Sequence, residues 1–239
     1  MTPRWTLVDF VIVVLGGLAG SLVFATAASL AGGDGQSDVT IIVSIVGQYV
    51  GHLVVLWLIG RGRGLGAASL GFDIVPGDVL YVGLGVALQI ALVILFIPLQ
   101  RLLVPEGGNA QEVVDLLAGL STPVGRVTMV AVTSFLAPLT EELLFRGVLL
   151  NSMTGRSRNR ILVVTASVFA LFHLIGVTSL GAGILVFIQI FLVGLVLAHV
   201  TLREGRLGPA IFLHAGFNLL AAVVLLLPPE LVDQLGGGG

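Results

Sequence analysis

Cysteine is absent from this sequence, and so is lysine. The first absence excludes disulfides, thiolate metal sites and a thiol nucleophile. Charge of either sign is scarce, 10% of residues where a soluble domain carries about 25%. Without a basic patch, no nucleic-acid partner is expected. What fills the chain instead is apolar: 56% hydrophobic residues and a mean hydropathy of +1.12.

Long apolar runs of this kind read as membrane spans, since a helix needs roughly 20 residues to cross about 30 Å of hydrocarbon. Seven stretches qualify: about Trp5–Leu30, Thr40–Gly60, Val79–Gln100, Val127–Asn151, Ile161–Thr178, Gly181–Thr201 and Leu207–Leu227. The expected fold class is therefore all-α, a polytopic transmembrane helical bundle of about seven spans with its site inside the bundle. No linker divides it, so residues 1–239 read as a single transmembrane domain, with 232–239 as a disordered tail. The first stretch also carries a signal-peptide pattern, one arginine before an apolar run and then Ala25-Thr26-Ala27, but the run continues far enough to span. Arg61–Asp78 reads as a loop with an interfacial segment, and Gln111–Leu120 as a short amphipathic stretch in the opposite interface. Gly16 with Gly20, and Gly47 with Gly51, put small residues one turn apart and predict close packing of the first two helices.

Arginine orients the bundle. Arg4, Arg61, Arg63, Arg156, Arg158, Arg160, Arg203 and Arg206 fall on one side by alternation, Arg101 and Arg126 on the other. The positive-inside rule makes the arginine-rich side cytoplasmic, giving a multi-pass cell-membrane protein with its N-terminus inside and its C-terminus outside. Low lysine with high Ala, Gly, Val and Arg content hints at a GC-rich bacterial source.

Within the spans stand groups that hydrocarbon penalises by roughly 2.5 kcal/mol or more each, and which are retained where they face a wet interior. The fourth stretch holds Glu141, Glu142 and Arg146, the fifth His173 one turn after the apolar Phe169, and the seventh His214 and Asn218. Glu142 and Arg146 are four apart and share a helix face, whereas Glu141 is rotated by about 100°. One glutamate is then an ion-pair partner while the other turns to a cavity. At about 1.5 Å per residue, Glu141 and His173 lie roughly 15–20 Å deep, and His214 and Asn218 roughly 10–17 Å, so they can meet at one level. A site at that depth is expected to open at the arginine-rich end or sideways to lipid. Peptide hydrolysis by water needs a base, oxyanion donors and an acid, and a carboxylate, two imidazoles and an amide supply all three. No His-Glu-x-x-His motif is present, so a divalent metal such as zinc would need ligands from separate helices, Glu141, His173 and His214 being the candidates. Gln48, Gln89 and Gln189 also lie in spans; His52 and His199 read as packing or interfacial residues.

Glu141-Glu142-x-x-x-Arg146, Phe169-x-x-x-His173 and His214-x-x-x-Asn218, in that order on successive membrane helices, resemble the CPBP family, the CAAX proteases and bacteriocin-processing proteins also called the Abi family, whose best-known member is the Ras-converting CAAX endoprotease. The resemblance covers about Thr140–Asn218. It implies an intramembrane endopeptidase in which Glu141 and His173 activate water, His214 and Asn218 serve the oxyanion, and Arg146 supports Glu142. It also implies a membrane-associated protein or peptide as substrate, prenylated or not, and either no cofactor or a divalent metal. The competing expectation is a non-catalytic accessory or immunity protein, or a proton-coupled transporter, using the same buried groups. Inverted repeats of the transporter kind are not evident in the sequence.

Overall fold

The computed structural model describes residues 4–33, 37–104, 119–177 and 179–226. The tail at 232–239 and residues 111–118 of the expected amphipathic stretch lie outside the described residues. Among the described residues seven helical rods follow one another and no strand occurs: α1 (Leu7–Leu30), α2 (Asp38–Arg63), α3 (Leu80–Leu103), α4 (Pro123–Ser152), α5 (Arg158–Phe172), α6 (Leu180–Glu204) and α7 (Gly208–Leu226). The protein is a helical membrane bundle.

Each rod starts or stops where the sequence supplies a cap. Thr6 and Asp9 form a reciprocal capping box at the start of α1. Ser37 accepts from the Thr40 amide before α2, and Thr122, followed by Pro123, accepts from the Gly125 amide before α4. α2 and α6 end on Gly64 and Gly205, both in the left-handed region at φ 68° and 70° that glycine adopts without a Cβ penalty.

Among the described residues five rods are long and apolar enough to cross a membrane, where the sequence suggests seven stretches. α5 has 15 residues, about 22 Å of rise, too little for a full crossing. The apolar run that suggested a span continues to Thr178, but the helix stops at Phe172 and the backbone turns through His173, Leu174 and Gly176. Hydropathy does not register a turn made of apolar residues. α7 is the other short rod, with 19 described residues.

Lipid tails give helices no hydrophobic reason to associate, so close contact falls to small residues. α1 packs on α2 through the four glycines: a Cβ on Gly20 would stand 2.2 Å from the Gly47 carbonyl oxygen, and one on Gly16 2.4 Å from Val55. α3 packs on α7, and α5 on α6. The arginine-rich end is pinned by Arg63 to buried Asp9 at 2.7 Å and Arg206 to buried Asp78 at 2.5 Å. At the other end the Asp38 carboxylate accepts from the Ser121 and Thr122 amides at 2.9 and 2.8 Å, tying α2 to α4. Half of the most apolar window of α4 is buried, against 17–33% in the other four long helices. α4 is the central rod, and it carries the two glutamates.

Candidate active site

α4 is not a uniform helix. Val132–Leu136 and Leu143–Leu149 are wound as π-helix on either side of the α-helical Ala137–Glu142, a distortion that collects at functional sites. In the first, the Ala137 amide donates to the Val132 carbonyl five residues back. The Thr133 carbonyl would take the next bond in that register from residue 138, but Pro138 has no N–H. Asn218 of α7 supplies the missing donor, its Nδ2 standing 2.9 Å from the Thr133 oxygen. The bond anchors α7 to α4 beside the glutamates.

Glu142 turns into the protein. It is wholly buried, and its Oε1 accepts from Arg146 Nη1 and His214 Nδ1, both at 2.9 Å. Arg146 Nη2 donates to the Gly194 carbonyl at 3.2 Å, and its guanidinium lies 4.4 Å from the centre of the Phe169 ring. A buried arginine is tolerable with this set of partners and not with fewer. Because Glu142 holds the proton-bearing Nδ1 of His214, the other ring nitrogen, Nε2, faces away from it.

Glu141 turns the other way, 22% exposed, into a cavity of about 500 Å³. Its Oε2 stands 3.8 Å from His214 Nε2 and 4.0 Å from His173 Nε2. Those separations exceed a direct hydrogen bond; Oε2 has no hydrogen-bond partner among the described residues. The gap suits one small bridging molecule touching the carboxylate and both imidazoles.

His173 is set in place by the early stop of α5. Its amide bonds back three residues to Ala170, leaving the Phe169 carbonyl without the usual donor four residues on. Nδ1 of the same histidine takes that place at 2.8 Å. A carbonyl only accepts, so Nδ1 carries the proton and Nε2 is the basic nitrogen of the neutral ring. Phe169 sits among these groups, its ring 4.5 Å from that of His173 and 5.7 Å from that of His214. Phe10, Phe145 and Phe172 extend the aromatic layer, edge to face at 5.0–5.9 Å.

Every site residue expected from the sequence falls in this one region, but three features were not read there. Tyr49 of α2 and the amides of Gln89, Gln100 and Gln189 line the cavity together with Thr133, Glu141, His173, His214 and Asn218. The sequence marks Gln89 and Gln189 as polar residues within spans but gives no signal at Tyr49 or Gln100. The amide nitrogen of Asn218 holds a backbone carbonyl. Of the two expected openings, the one at the arginine-rich end is not where the cavity runs: it reaches Ala221 and Ala222 of α7 and exposed Gln100, three residues from the end of α3, at the arginine-poor end.

The candidate metal ligands do not make a metal shell. Among the described residues no group of three His, Asp or Glu side chains is arranged to hold a metal ion. Donors on a tetrahedral zinc stand about 3.3 Å apart, from bonds of about 2.0–2.1 Å; the donors around Glu141 are wider.

Residues 123–220 match the family model described as Type II CAAX prenyl endopeptidase Rce1-like. No curated protein and no solved structure matches the chain. The matched segment begins at the first residue of α4, ends within α7, and contains Glu141, Glu142, Arg146, Phe169, His173, His214 and Asn218. The match is in keeping with the intramembrane proteases of the CPBP family.

Proposed function

Because residues 123–220 match the Rce1-like CAAX prenyl endopeptidase model, we propose that this membrane protein hydrolyses an internal peptide bond of a membrane-associated protein or peptide, with water activated by Glu141 and His173. The observation that carries the reading is the meeting of one carboxylate oxygen with two imidazole Nε2 atoms, at 3.8 and 4.0 Å, on the wall of a cavity inside the bundle.

A water between Glu141 Oε2 and His173 Nε2 is held by a carboxylate and a basic imidazole nitrogen. As its oxygen attacks the substrate carbonyl, its proton passes to Glu141, the C–O bond forms and the carbonyl electron pair moves onto oxygen. His214 donates Nδ1–H to Glu142 Oε1, and Nε2, when it also carries a proton, is the donor that faces the developing oxyanion. Asn218 has a second amide N–H beyond the one held by Thr133. Collapse of the tetrahedral species breaks the C–N bond, and the Glu141 proton goes to the leaving amine. Products are one carboxylate and one amine, with the enzyme returned to its starting state. Glu142 and Arg146 act through His214 by fixing its ring, as positioning residues.

By the positive-inside rule the arginine-rich end faces the cytoplasm, which turns the end of the cavity lined by Gln100, Ala221 and Ala222 toward the outer face. Single cysteines at Asn159 and Val124 in this cysteine-free chain test it. An impermeant maleimide added to whole cells is expected to label Val124→Cys and not Asn159→Cys, and the reverse pattern overturns the orientation.

Activity is tested with detergent-purified protein on quenched peptides, prenylated and unprenylated, with and without chelator, beside Glu141→Gln. Cleavage that survives chelator and is lost in Glu141→Gln is the expected result. Absence of cleavage across the library, or full turnover by Glu141→Gln, contradicts the reading.

A further inference from the structure

A second cavity, of about 380 Å³, lies at the arginine-rich end and shares no lining residue with the one beside Glu141. Its α2 wall is Leu53, Leu56, Trp57, Gly60 and Arg61, spaced i, i+3, i+4, i+7 and i+8, a single helical stripe. At about 1.5 Å per residue the stripe runs about 12 Å, from the last turn of α2 into the apolar depth. Leu65, Leu70 and Phe72 of the connection to α3 line the cavity as well, and so does Leu143 of α4, the neighbour of Glu142. Trp5 lines it too, 3% exposed, its indole N–H donated to Ser69 Oγ at 3.0 Å. With that bond made the indole has no polar atom left to satisfy.

One charged group stands among these apolar residues. Arg61 is exposed, its guanidinium 5.6 Å from the centre of the Trp57 ring, and no carboxylate pairs with it among the described residues. Two residues on, Arg63 is paired with Asp9 at 2.7 Å. Arginine beside tryptophan at the end of a membrane helix marks the level of the lipid headgroups.

The two parts of the site ask for a ligand with two parts. A helix of another protein would cover the leucines and leave the guanidinium without a counter-charge. Free phosphate would meet the guanidinium and leave the apolar stripe empty. A phosphate joined to an acyl chain satisfies both, with the head at the end of α2 and the chain alongside it.

We propose that this cavity binds one anionic phospholipid of the arginine-rich leaflet, its phosphate on Arg61 and one acyl chain along the Leu53–Arg61 stripe. The chain then packs against Leu143, the first residue of the second π-helical segment of α4, on the rod that carries both glutamates.

The tryptophans supply the test. The chain has two, and both line this cavity. In Trp57→Phe the remaining emission comes from buried Trp5, which bromine on an acyl chain quenches only at short range. That protein, full length in phosphatidylcholine bilayers, is titrated with brominated phosphatidylglycerol and, separately, with brominated phosphatidylcholine. The anionic lipid is expected to quench at about 5-fold lower mole fraction, the effect of one arginine near an anionic headgroup. Adding Arg61→Gln is expected to bring the two lipids level with melting unchanged. Adding Arg156→Gln instead, at an exposed arginine of the same end, is expected to keep the preference. Equal quenching by the two lipids with Arg61 intact overturns the proposal, as does no quenching of Trp5 by either. A preference that survives Arg61→Gln, or that Arg156→Gln removes as fully, overturns it too. None of these outcomes depends on cleavage at Glu141.

Discussion

On one side of α4, Glu142 is wholly buried, with Oε1 shared between Arg146 and His214 at 2.9 Å each. One residue earlier, Glu141 faces a cavity, with Oε2 at 3.8 and 4.0 Å from two imidazole nitrogens and within hydrogen-bond distance of nothing described. The residue type is the same and the register differs by one. The difference teaches that a buried carboxylate with its bonds satisfied is architecture, while one held just short of its neighbours has room for a reactant. His214 joins the two sides, Nδ1 to the architecture and Nε2 to the gap.

If the contrast is real, the two glutamates fail in different ways. Glu141→Gln is expected to lower turnover by about 10³-fold or more, in the range of a lost general base, while its melting temperature in detergent stays near that of the unaltered protein. Glu142→Gln leaves the Arg146 guanidinium buried without its counter-charge and should destabilise by about 3–5 kcal/mol, read as a large fall in melting temperature. Arg146→Met alone should cost a similar amount, because it strands Glu142. The double variant Glu142→Gln/Arg146→Met should recover much of the loss, and a strictly additive double variant would break the ion-pair account.

A smaller effect sharpens the boundary between the two sides. Asn218→Leu removes the donor to the Thr133 carbonyl and should cost about 1–3 kcal/mol for the stranded acceptor. With Pro138→Ala, an amide N–H returns at position 138, and Asn218→Leu should then cost less. An equal cost in both backgrounds contradicts the origin assigned to that bond. Smallest of all, Phe169→Leu takes the ring from beneath Arg146, a cation–π contact of about 1 kcal/mol, visible as a modest melting shift.

Much of this was legible in the residues. Hydropathy located the rods, and charges inside them marked α4, α5 and α7. The i, i+4 spacing placed Arg146 against Glu142, where the structure has them 2.9 Å apart. Other features lay beyond any local pattern. The stop of α5 at Phe172 is hidden in an apolar turn, and with it the carbonyl that orients His173. The Thr133 carbonyl that Pro138 leaves without a donor is met by Asn218 of α7, 85 residues later in the chain. Tyr49, Gln89 and Gln100 reach the cavity from α2 and α3, outside the matched segment 123–220. The direction of the cavity depends on which helix faces lack a neighbour, which no single helix records.

The most direct test sets turnover beside folding in one experiment: cleavage rate and thermal melting of the unaltered protein, Glu141→Gln and Glu142→Gln, purified in the same detergent and assayed on the same peptide. The account predicts that Glu141→Gln melts with the unaltered protein and does not cut, while Glu142→Gln melts well below both. A Glu141→Gln protein that cuts at the normal rate, or a Glu142→Gln protein as stable as the original, would contradict it.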